Sequence, residues 1–197
     1  IQQSGQHAYG VNTITNGISN FGYCVYGAML LLGAKQLAPG TNSTSKTLHE
    51  SLARPVADTC DRAIGVSTNG IPYGDFLVYA NGQVKASPGS GDMRYIPRLA
   101  ETYFVLHRLT GEEVFANYAW RLALGVRYNW FSSNYYLLLN TGYSAEMLSA
   151  TLKYLYLTFS PRELLPLDKW VFDGAGHPLP ICGKSAAYPK CRMLKDY

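Results

Sequence analysis

The residues of this chain that could do chemistry are few and spread out. Arg98 and Glu101 stand three apart in a helical pattern, a spacing that makes either a surface ion pair worth ~0.2–0.5 kcal/mol or a carboxylate held at a site. His177 precedes Pro178 beside a glycine-rich turn, where a lone histidine reads first as a structural hydrogen-bonding residue. Glu112 and Glu113 fall in the first turn of a helix, where the dipole favours acids and no catalytic role is needed. Four cysteines, Cys24, Cys60, Cys182 and Cys191, and the N-glycosylation sequon at Asn42 together indicate an oxidising secretory or extracellular compartment. Cys182, Cys191 and His177 are poorly spaced for a zinc site.

The positioning elements have to come from a chain of 197 residues, long enough for one domain with a real core. We expect a single domain over 1–197, with 184–197 as a polar tail. Charged residues make up 15% of the chain, below a typical ~25%, and the net charge of +4 is scattered. That excludes a disordered tail and the dense basic patch of a nucleic-acid binder. The longest apolar run, Tyr23 to Ala34, falls short of the ~20 residues that span a bilayer. With Ile1 in first place and no signal-peptide pattern, we read the start as lying inside a precursor.

Periodicity predicts five helices. Ile1 to Asn20 reads as loop or short strand, and Phe21 to Gln36 as an apolar helix buried on all sides. Pro39 to Ser45 reads as a linker. The capping box Thr47-Leu48-His49-Glu50 then opens a second helix that Pro55 should kink or start. Asp75 to Val84 alternates around Asn81-Gly82, a hairpin signal. Tyr95 to Arg108 is a third helix, and Thr110-Gly111-Glu112-Glu113 turns it into a fourth, up to about Trp130. Phe131 to Tyr143 reads as strand or loop before the fifth, Ser144 to Ser160. Ser160-Pro161-Arg162-Glu163 has the form of a capping box for a further short helix, ahead of a strand at Trp170 to Phe172.

The last of these segments carries a resemblance. Thr151-Leu152-Lys153-Tyr154-Leu155-Tyr156-Leu157 with Phe159-Ser160, then Val171-Phe172 and His177-Pro178-Leu179-Pro180, resemble the closing E-T-L-K-Y-L-Y-L-x-F-S and V-F-N-T-E-A-H-P-L-P motifs of the class I α-1,2-mannosidases, glycoside hydrolase family 47. The resemblance implies an all-α fold, part of an (αα)7 barrel of helical hairpins with short β-hairpins in the connections, and places this chain in the C-terminal half. It also implies a Cys24–Cys60 disulfide, with Cys182–Cys191 as a second bridge.

The family's reaction is calcium-dependent inverting hydrolysis of α-1,2-linked mannose on N-glycans, and inversion needs two carboxyl groups roughly 6.5–9.5 Å apart. The resemblance marks Asn20, Phe21, Arg98, Glu101 and His177 as sugar-site positions and position 174 as the calcium ligand. The chemical letters differ. Ala150 replaces a glutamate, Asp173-Gly174-Ala175-Gly176 replaces N-T-E-A, and Gly174 can offer calcium only a backbone carbonyl. The family motif Y-x-L-R-P-E-x-x-E-S, whose first Glu is the proposed base, is met by Arg98 and Glu101 with two residues missing between them.

We therefore expect an inactive or glycan-binding mannosidase-like protein of the endoplasmic reticulum or Golgi lumen or the cell exterior. A second chain or a missing N-terminal half would close the barrel. The alternatives are one piece of an active mannosidase, using Asp75, Glu101, Glu146 and Asp173 with acids from another chain, or a structural interaction module, to which the 16 tyrosines would contribute.

Overall fold

A computed structural model describes residues 2–4, 7–9, 18–37, 43–67, 70–72, 75–79, 83–86, 93–131 and 145–186. The helices are α1 (Val25–Gln36), α2 (Ser43–Gly65), α3 (Ile96–Thr110), α4 (Glu113–Phe131) and α5 (Ala145–Thr158). The strands are β1 (Gln2–Ser4), β2 (His7–Tyr9), β3 (Ile18–Asn20), β4 (Asp75–Val78), β5 (Val84–Ala86), β6 (Trp170–Phe172) and β7 (Pro178–Pro180). They form three small antiparallel sheets, β1-β2, β3-β4-β5 and β6-β7, so the fold is all-α with short β-hairpins.

The centre of the molecule is α3, which packs against α1, α4 and α5. Its apolar residues are not confined to one stripe: Leu99, Ala100, Tyr103, Phe104 and Leu106 are all buried, so neighbours cover it on several sides. Pro97 sits in its first turn, where a missing N–H leaves nothing unpaired. At the other end Gly111 takes the left-handed conformation (φ 78°) and its N–H donates to the His107 carbonyl at 2.9 Å, closing the helix. The Glu112 N–H donates to Thr110 Oγ1 (3.1 Å), and α4 starts at the next residue. This is the αα-hairpin that the Thr110-Gly111 signal predicts.

The α1–α2 pair is fastened by the disulfide Cys24–Cys60, whose Cα atoms are 6.0 Å apart. Thr102 on α3 donates to the Cys24 carbonyl (3.2 Å), which ties the same point to the central helix. Phe76 and Val78 of β4 point into the core, and the Phe76 ring lies 4.9 Å from that of Phe21. The β4–β5 register pairs Val78 with Val84, so the hairpin forms where alternation predicts; Asn81-Gly82 lies outside the described residues.

Four expectations are corrected. Phe21 to Cys24 form a 3-10 turn before α1, and α1 is buried on one side only, with Tyr26 and Met29 exposed, because small Gly27, Ala28 and Ala34 already let neighbours close over the other side. The second helix starts at Ser43, inside the expected linker, since Ser43 to Lys46 contain no breaker. Pro55 therefore lies inside this helix and does not mark its first turn; its carbonyl accepts the Thr59 hydroxyl at 2.8 Å. No helix starts at Ser160. Residues 161–169 are successive turns, because Pro166 disfavours helical geometry at Leu165, which takes φ 51°. The sequon Asn42, Cys191, the 132–143 connection and most of the 184–197 tail lie outside the described residues.

Candidate functional site

The β6–β7 hairpin delivers the turn 173–177 onto α5. Three rings set the depth: Phe172 of β6 lies 5.6 Å from Phe104 on α3 and 5.5 Å from Tyr154 on α5, and Phe104 and Tyr154 are themselves 5.6 Å apart. Gly176 (φ 76°) needs both its freedoms, because a Cβ there would also come within 3.2 Å of Ala150 Cα. Lys153 on α5 donates to the Gly176 carbonyl at 2.7 Å. Small residues at 150 and 176 thus let the turn lie directly on the helix.

Within the turn, Asp173 is fully engaged. Its Oδ1 accepts the N–H groups of Ala175 (2.9 Å) and His177 (2.8 Å), and its Oδ2 lies 2.9 Å from His177 Nδ1. The backbone N–H of His177, then its ring, hold the Asp173 carboxyl below the usual carboxylate range. His177 is mostly exposed at the turn's outer side.

Arg98 and Glu101 project from the first turns of α3 toward the same place. Arg98 Nη1 lies 3.3 Å from Glu101 Oε2, and Arg98 Nη2 lies 3.4 Å from where a Cβ on Gly174 would be. Burial raises the Glu101 carboxyl above its ordinary value, and Arg98 and the neighbouring Tyr154 hydroxyl oppose that rise. Burial, then the Glu101 charge, pushes the Tyr154 hydroxyl up in turn; it lies beside Glu101 without a hydrogen bond of good geometry.

Of the residues marked in the sequence, Arg98, Glu101 and Gly174 therefore meet at one end of α3, while His177 sits on the outer side of the turn against Asp173. Asn20 is at that end as well: its Oδ1 and the Tyr95 ring lie 3.0 and 3.1 Å from a Cβ placed on Gly22. Phe21 is not at a surface. At 1% exposure its ring is core, packed on Phe76, and it offers a ligand nothing. Asp75 faces Asn20 across the β3–β4 pair, and the Glu146 side chain is outside the described residues. Tyr154 and Lys153 were not marked; helical periodicity shows Tyr154 as core, and only the structure shows its hydroxyl beside Glu101. Cys182 is disulfide-bonded and so brings no thiolate, and among the described residues no three His, Cys, Asp or Glu side chains gather as metal ligands.

A second polar cluster, also unmarked, lies between α2, α3 and α4. Asp61, with a side chain only 6% exposed, pairs with Arg121 (2.8 Å), the Tyr118 hydroxyl donates to Asp58 (2.8 Å), and Arg54 bridges Asp58 and Glu112. Burial pushes the Asp61 carboxyl up to about 6 against the pull of Arg121.

The family model for "Glycosyl hydrolase family 47" matches residues 9–181. A Drosophila melanogaster mannosyl-oligosaccharide alpha-1,2-mannosidase IA is 39% identical over 102 residues, covering 47% of this chain and 15% of that protein. The Spodoptera frugiperda mannosidase IA is 29% identical over 177 residues (84% of this chain, 26% of that protein), and the human mannosyl-oligosaccharide 1,2-alpha-mannosidase IB 30% over 178 residues (80% and 26%). The chain thus spans about a quarter or less of the length of these relatives. With the motif residues of α5 and the β6–β7 hairpin in place and the match running through nearly the whole described structure, the chain belongs to glycosyl hydrolase family 47.

Proposed function

We propose that this chain is a mannosidase-like protein that binds high-mannose N-glycans and does not itself hydrolyse them. The observation that carries the reading is the guanidinium of Arg98, which lies at the heart of the cluster and is paired with Glu101. Because α3 runs unbroken from Ile96 with Pro97 in its first turn, the motif R-P-E-x-x-E fits residues 96–101 without a gap. Pro97 and Glu101 are then its proline and second glutamate, and Arg98 stands at the first. This replaces the deletion expected from the sequence. A guanidinium never gives up its proton in a protein, so it cannot serve as the base that activates water.

The donor set also fails to suit calcium, which takes six to eight oxygens. Asp173 spends its oxygens on the turn, Glu101 is paired with Arg98, and Gly174 offers a carbonyl alone. The Asn20 amide and the remaining N–H donors of Arg98 suit hydrogen bonding to sugar hydroxyls.

A partner surface supports the need for further helices. Trp120, Leu124 and Tyr128 form an exposed stripe at four-residue steps on α4, continued by Leu152, Tyr156 and Phe159 at α5. Trp120 and Phe159 touch edge to face at 5.8 Å. Monomers seldom leave such a patch open, and the rest of a barrel, on the same polypeptide or a second chain, would cover it. The disulfide favours the lumen of the secretory pathway or the exterior. No helix among the described residues is long and apolar enough to cross a membrane.

A glycan array carrying high-mannose, hybrid, complex and sialylated N-glycans tests the reading. Binding is expected on glycans with terminal α-1,2-mannose and to weaken in Arg98→Ala. Failure to bind any glycan would refute it in favour of an interaction module.

A further inference from the structure

We infer that the Arg98 guanidinium is the resident cation of the 173–177 turn, standing where a calcium ion would have to be, so that whatever sugar this site takes is held without metal. The inference rests on the mannosidase-like reading above and deepens it.

Among the described residues beyond its chain neighbours, Arg98 supplies the only atoms within 4 Å of a Cβ placed on Gly174: Nη2 at 3.4 Å and Nη1 at 3.9 Å. A side chain at position 174 would therefore begin against a positive charge. The guanidinium is also paired with Glu101, whose Oε2 lies 3.3 Å from Nη1. The surrounding anions are committed. Glu101 on α3 faces Arg98, and Asp173 accepts two backbone N–H groups and meets the His177 ring. Lys153, the cation of α5, is turned to the Gly176 carbonyl at 2.7 Å. Both carboxylates, of Glu101 and Asp173, are therefore already engaged. A divalent ion about 4 Å from a unit charge is opposed strongly enough, even in bulk water, to weaken its binding ~30-fold. A planar guanidinium with five N–H donors can instead hold the oxygens of neighbouring sugar hydroxyls directly.

Calcium titrated into the whole chain, read by calorimetry and by the shift in melting temperature, tests this without any assay of hydrolysis. The unaltered chain is expected to show no saturable binding up to the ~10⁻³ M Kd of the weakest dedicated calcium modules. The double variant Arg98→Glu/Gly174→Thr is expected to gain at least ~30-fold in calcium affinity. Arg98→Gln/Gly174→Thr serves as the second version if charge reversal prevents folding. Saturable binding at or below that Kd by the unaltered chain overturns the inference. So does such binding by Gly174→Thr with Arg98 in place, or the absence of any gain in a folded double variant. The glycan array is independent of these readouts, so failure of the glycan-binding reading and failure of the resident cation are told apart.

Discussion

Asp61 should make this protein lose stability as the pH rises from 4 to 7. Its carboxylate lies between α2, α3 and α4, with Asp58 and Arg62 on its own helix, Tyr103 on α3, and Tyr118 and Arg121 on α4. Arg121 pulls the carboxyl down, yet half of the Arg121 side chain is in solvent and its attraction is screened, whereas Asp61 itself is nearly sealed from water. Desolvation wins, and the carboxyl rises from 3.8 to about 6. A carboxyl raised on folding binds more protons in the native state, so its stabilising contribution is complete below 3.8 and lost as the pH climbs through about 6. At 1.36 kcal/mol per pH unit between those two values, the loss is about 3 kcal/mol. Urea unfolding followed by tryptophan fluorescence at pH 4, 5, 6 and 7 reads it against Asp61→Asn, which cannot titrate. Between pH 4, where the unfolded carboxyl is already partly ionised, and pH 7, stability relative to that variant should fall by about 2.4 kcal/mol, or ~1.2 M in urea midpoint at a slope of ~2 kcal/mol/M. A difference that stays flat, or that grows with pH, would show that the pair with Arg121 outweighs burial and would refute the reasoning.

Other changes have effects of known sign. Gly125→Ala would put a Cβ 2.0 Å from the Gly70 carbonyl oxygen, where only backbone can yield, and should destabilise by ~1–3 kcal/mol or more in thermal melts. Replacing the pair as Cys24→Ser/Cys60→Ser opens a bridge of sequence separation 36 and should cost about 4 kcal/mol by urea unfolding, from loop-closure entropy. Tyr103 is fully buried and its hydroxyl has no hydrogen-bond partner among the described residues, so Tyr103→Phe should be neutral or stabilise by up to ~1 kcal/mol in the same assay. Asp173→Ala should speed hydrogen exchange at the amides of Ala175 and His177, while Asp173→Asn keeps them protected. The unaltered turn should hold at neutral pH and loosen only as pH falls through the depressed titration of Asp173, below its ordinary 3.8.

What could be read in the sequence was local. Thr110-Gly111 specifies the α3–α4 turn because only glycine readily takes the φ that closes α3, and the alternation of β4 and β5 fixes a register that the structure keeps. Where signals conflict, the structure decides. Ser160 to Glu163 look like a helix start, but Pro166 comes too soon for a helix to form. Phe21 occupies a motif position yet is core, because its neighbour across the fold is Phe76 and nothing local reveals that. Asp61 was invisible for the same reason: a carboxylate next to Cys60 on α2 reads as solvated until α4 brings Arg121 to it. At the site, the two halves of the cluster are some 75 residues apart in the chain, Arg98 on α3 and Gly174 in the turn. Residue types alone could show that family acids had been replaced. That Arg98 fills the space beside Gly174 is a tertiary fact.

The most direct measurement is incubation of the whole chain with a high-mannose N-glycan in the presence of calcium, followed by mass spectrometry of the glycan. If Arg98 stands in the place of the base, as proposed, the glycan mass stays unchanged over long incubation. Progressive loss of hexose units, abolished by removing calcium, would contradict it.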